Sequence, residues 1–90
     1  MNLSQFKTVT EAMPGQYQVM VRTEQTILPA IAFEINQKQI KVKAQSDGQL
    51  SLRDLSDLTG WDQSQLVFEL DQKMHSVFGY RVEGMQLILG

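Results

Sequence analysis

The sequence predicts one small α+β domain, and three observations carry the prediction. Apolar residues near the start recur at helical spacing, those from Tyr17 to Ala44 alternate with a period of two, and two capped segments then precede a second alternating stretch. Ninety residues hold a single hydrophobic core, so residues 1–90 are read as one domain.

Taken in order, Leu3, Phe6, Val9 and Met13 mark an N-terminal helix that Pro14-Gly15 stops. Tyr17, Val19 and Val21 then alternate with Gln18, Met20 and Arg22 in the pattern of a half-buried strand. Ile31, Phe33 and Ile35 form a second such set, and Ile40, Val42 and Ala44 a third, with Lys41 and Lys43 on the opposite face. The polar Asn36-Gln37-Lys38 suits a tight connection between them, and Ser46-Asp47-Gly48 ends the run as a turn. An antiparallel sheet follows from this pattern.

Two consecutive helices come next. Ser51 reads as an N-cap with Asp54 in the first turn, Leu50 and Leu55 as a hydrophobic staple, and Gly60 as a left-handed stop. Asp62 with Gln65 repeats the capping-box grammar, and Trp61 with Leu66 repeats the staple. Residues 65–70 also alternate as a strand would. The cap signals, and a face of Leu66, Leu70, Met74 and Phe78 that continues to Gly79, favour helix, with Glu69 and Lys73 as an i,i+4 pair. After Gly79, residues 80–83 and 85–89 read as a C-terminal β-hairpin turning at Gly84.

Composition bounds the function classes. An apolar fraction of 42% with 20% charged residues excludes a disordered chain. There are no cysteines, which excludes a disulfide framework and a thiolate metal site and points to a cytoplasmic domain. The N-terminus lacks a signal-peptide pattern, and no apolar run approaches the roughly 20 residues of a membrane span. The formal net charge of −2 is unevenly spread: residues 1–50 carry five basic and four acidic side chains, residues 51–90 three and six. That acidic second half disfavours tight nucleic-acid binding, which needs clustered cations.

Residues 50–89 resemble a winged helix-turn-helix, through the stretch 55–66 with Gly60 at its turn, Leu66 and Leu70 at buried positions of the second helix, and the tail 70–84 as the helix end and wing. The resemblance implies a winged-helix-like C-terminal half and a DNA-binding transcriptional regulator. Gln63, Ser64 and Gln65 would then face base edges, with Lys73 and Arg81 as the accompanying cations. A complete winged helix also needs a further helix, which residues 29–44 would have to supply, whereas their alternation favours strands.

Catalytic chemistry is thinly provided. His75 is the only imidazole, and on a helix Asp71 would stand one turn before it. Asp54, Asp57 and Asp62 lack the spacing of a calcium loop, and the glycines are isolated rather than grouped in a phosphate loop. No catalytic residue, metal or cofactor is expected, and a small enzyme is the least favoured reading. The leading expectation is a non-enzymatic interaction or regulatory module that binds a protein partner or a second copy of itself, through Trp61, Gln65 and Glu69.

Overall fold

A computed structural model describes residues 1–36 and 38–90. The α+β class with two consecutive helices and a winged-helix-like C-terminal half is not what the chain forms. It is dominated by one curled, mixed sheet of seven strands, with two short helices among the described residues.

The first helix, α1 (Leu3–Thr10), begins with a reciprocal cap: the Asn2 side chain accepts from the Gln5 amide at 2.8 Å, and the Asn2 amide donates to Gln5 Oε1 at 2.9 Å. It ends before the expected Pro14-Gly15 stop. The hydroxyl of Thr10, the last helical residue, turns back to the Phe6 carbonyl at 2.7 Å, and the buried stripe is Leu3, Phe6 and Thr10 rather than one through Val9.

Strands β1 (Gln18–Arg22), β2 (Ile27–Ile35) and β3 (Gln39–Ala44) follow as alternation demands. This removes the helix that a winged-helix arrangement would need at 29–44. The connection at Asn36-Gln37-Lys38 includes Gln37, which lies outside the described residues; beside it, Asn36 Oδ1 accepts from the amides of Lys38 and Gln39 at 3.0 and 2.8 Å.

Strand β2 carries a bend. Its residues 27–29 pair with β1, and from Ala30 onward it pairs with β3, with the register shifting between Ala30 and Ala32. Pro29 has no amide to give a ladder, and a bulge beside it is where an inner strand tolerates proline. The carbonyls of Pro29 and Ala30 accept instead from the amides of Gln45 and Leu50, at 3.1 and 2.9 Å. The loop that delivers these amides needs Gly48: a Cβ there would press on the Ala30 carbonyl and stand 2.8 Å from the Pro29 oxygen.

Helix α2 (Leu52–Ser56) starts at the expected cap, with the Ser51 amide donating to Asp54 at 2.9 Å, and buries Leu52 and Leu55. The second of the two expected helices is replaced by a hairpin, β4 (Gln65–Leu70) and β5 (Lys73–Ser76). Two forces oppose the cap grammar here. The Gln65 amide donates to the Lys38 carbonyl at 2.8 Å, the Leu66 amide donates to the Met1 carbonyl at 2.9 Å, and β4 then runs parallel to β3. The alternation of Leu66, Phe68 and Leu70 also puts all three into the core, which a helix through the same residues would not do. The second hairpin, β6 (Tyr80–Glu83) and β7 (Gln86–Leu89), forms as expected and β7 lies parallel to β1.

The strand order is β5-β4-β3-β2-β1-β7-β6. The helices contribute Leu3, Phe6, Leu52 and Leu55 to the same core as Val19 and Val21, Ile40 and Val42, Leu66 and Phe68, and Leu87 and Leu89. Lys7 ties them together, its ammonium donating to the Leu58 carbonyl just past α2. Among the described residues no helix is long and apolar enough to cross a membrane.

Candidate functional site

The outer face of the sheet centre carries charge that is already matched. Lys41 on β3 lies 3.4 Å from Glu34 on β2 and 3.5 Å from Glu69 on β4, and Lys43 pairs with Glu34 as well. The hydrogen bond from Lys43, with the positive charges of Lys41 and Lys43, holds the Glu34 carboxyl below the usual glutamate range. The hydrogen bond to Glu34 raises Lys43 in turn. Glu69 therefore faces lysine across the sheet, and the expected helical pair with Lys73 is not made: Lys73 pairs with Leu70 across the hairpin turn.

The sequence-selected residues are dispersed. Trp61 lies in the turn before β4, 37% exposed, with no helix for it to staple. Gln65 opens β4 opposite Gln39, and Glu69 sits two alternations further along the same strand face. Of the residues proposed for base reading, Gln63 and Gln65 are exposed and Ser64 is buried. Lys73 and Arg81 stand on strands at opposite ends of the sheet, and Arg81 is 3.1 Å from Glu83 on its own strand. Asp71, expected one helical turn from His75, instead sits in the β4–β5 turn.

Exposed apolar side chains occur elsewhere, between β5 and the β6–β7 turn. Phe78 is 87% exposed, and Tyr80, Val82, Met74 and Met85 are also open to solvent. Tyr80 and Val82 stand opposite Leu89 and Leu87 in the β6–β7 ladder, so they share the inner face with two fully buried leucines but extend beyond the core. Phe78 also borders an open cleft of about 930 Å³, whose other walls include Arg22, Glu24, Asp71 and His75. The His75 ring stacks on Phe68, with centroids 4.9 Å apart and planes 15° from parallel, so Phe68 closes the cleft floor.

Strand β6 ends the sheet. Glu83 and Gln86 flank a two-residue turn and form a hydrogen-bonded pair, as do Arg81 and Ile88 one alternation on. The amides and carbonyls of Tyr80 and Val82 therefore point away from β7, toward the free edge. Sequence reasoning missed this site because Phe78 and Met74 fit a helical face and because nothing local marks a strand as terminal. The alternation of Tyr80 and Val82 was the available signal.

Comparison of the chain with family models, curated proteins and solved structures finds no match.

Proposed function

We propose that the chain is a non-catalytic protein-interaction module whose partner covers the β6 edge and the apolar side chains beside it. The observation that carries this reading is the pair of exposed apolar residues Tyr80 and Val82 on a terminal strand with an unpaired backbone edge, with the exposed Phe78 two residues before it. An edge of this kind offers main-chain hydrogen bonds for affinity and apolar side chains for specificity, the two requirements of strand addition. The matched charges of Glu34, Lys41, Lys43 and Glu69 leave the sheet centre without a basic stripe for phosphate, which favours a protein partner over nucleic acid.

Photo-crosslinking in cells that make the protein tests the reading. A benzophenone side chain at position 78 or 80 should yield adducts with protein, whether a second copy or another chain, while the same group at the exposed Asp47 should not. Failure of positions 78 and 80 to capture any protein would overturn it.

A further inference from the structure

We infer that the occupant of the β6 edge is a second copy of this chain, joined by antiparallel β6–β6 pairing about a two-fold axis at Val82. The inference rests on the proposed interaction role and names its partner.

Charge on the strand selects the occupant. With Val82 opposite its own copy, Arg81 of each chain faces Glu83 of the other, twice by symmetry. Both side chains lie on the outer face, where Arg81 and Glu83 already approach within 3.1 Å inside one chain, so pairing would form a four-charge cluster of alternating sign. The backbone agrees with this register, since Val82 presents its amide and carbonyl outward and so forms a hydrogen-bonded pair with its copy. Tyr80 would fall opposite Gly84, which has no side chain to obstruct the ring. Registers centred on Arg81 or on Glu83 place like charges together, and one centred on Tyr80 leaves Arg81 opposite Gly79.

The other terminal strand is less suited. A two-fold axis at Met74 of β5 would set Lys73 opposite His75, with no acid for either, and an edge lysine is a common guard against strand addition.

Sedimentation velocity on the purified chain, from about 10 to about 500 μM, should show a reversible monomer–dimer equilibrium of modest affinity, as a short seam allows. Arg81→Glu gives a strand with two acids and Glu83→Arg one with two bases, so each variant alone should dimerise about tenfold or more weakly. An equimolar mixture of the two restores both opposite-charge pairs and should form a heterodimer. Val82→Pro removes an amide that β7 does not use and should also abolish dimers, with an unchanged circular dichroism spectrum confirming that the hairpin survives.

A wild-type chain that stays monomeric across the range, or a dimer indifferent to the charge swaps and to Val82→Pro, would overturn the inference. If position 80 then crosslinks to a different protein, the interaction role stands and only the self-pairing fails. Absence of both dimer and adduct sinks both.

Discussion

The two hairpins at the ends of the sheet are built on one plan and finished differently. In each, the inner strand runs parallel to a strand from the first half of the chain, β4 beside β3 and β7 beside β1, and a two-residue turn leads to or from an outer strand. The β6–β7 turn places its positive φ of 57° at Gly84, where glycine accepts it. The β4–β5 turn places Asp71 and Gln72 at φ of 54° and 64°, a left-handed pair without a glycine. One turn is thus locally favoured, and the other is held by what surrounds it: the β3 ladder, the N-terminal segment and the stacked rings of Phe68 and His75. The strained turn belongs to the hairpin with the stronger anchorage, and the relaxed turn to the one with the bare edge. Backbone strain is tolerated where tertiary contacts over-determine the conformation.

Removing the anchorage should give the largest effect. Phe68→Ala empties a buried site beneath the cleft and should cost about 3–5 kcal/mol in urea unfolding, whereas Val82→Ala on β6 should cost roughly 0.5 kcal/mol or less at concentrations that keep the chain monomeric. Equal losses would show that β6 is not the loosely held end. Exchanging the turn chemistry comes next: Gln72→Gly should stabilise the chain by about 1 kcal/mol, and Gly84→Ala should destabilise it by about the same amount. A neutral Gln72→Gly would mean that the β4–β5 turn is not strained. The smallest effect concerns the charges between the hairpins. Because Glu34 titrates lower when folded, its contribution is complete above the ordinary glutamate range and fades as pH falls through the lowered value. Lys43 titrates higher when folded, so its contribution is complete below the ordinary lysine range and fades as pH rises through the raised value. Both groups are open to water, so Lys43→Met should flatten the acid limb only slightly, and added salt should erase the difference from wild type.

These contrasts also account for what was legible in the sequence. Strands β1 and β3, the C-terminal hairpin and the Ser51 cap obey local rules, and they were readable for that reason. Strand β4 was hidden because Asp71-Gln72 is poor turn chemistry, which let Leu66, Leu70, Met74 and Phe78 line up as a helical face. The cap pattern at Asp62 and Gln65 was coincidental: the Gln65 amide is satisfied by Lys38 across the sheet, a partner no local window contains. The candidate site was harder still. Arg81 was singled out as a DNA-contacting cation of the wing, yet it lies 3.1 Å from an acid on its own strand, and Tyr80 and Val82 matter only because β6 ends the sheet. Strand order is decided by pairings between distant residues, which alternation alone does not encode.

The parallel pairing of Val19 with Leu87 joins the first strand to the last. Such a contact closes a loop of about three quarters of the chain, whose entropy cost must be met before the ladder rewards it. A ribosome releasing this protein therefore exposes β1 with one flank unpaired until the final strand emerges, and during that interval the apolar Val19, Met20 and Val21 are available to any neighbouring nascent chain. The period of greatest aggregation risk is set by the synthesis time between the two strands, so slowed elongation over residues 23–86 should lower the yield of soluble protein more than the same delay placed before Gln18.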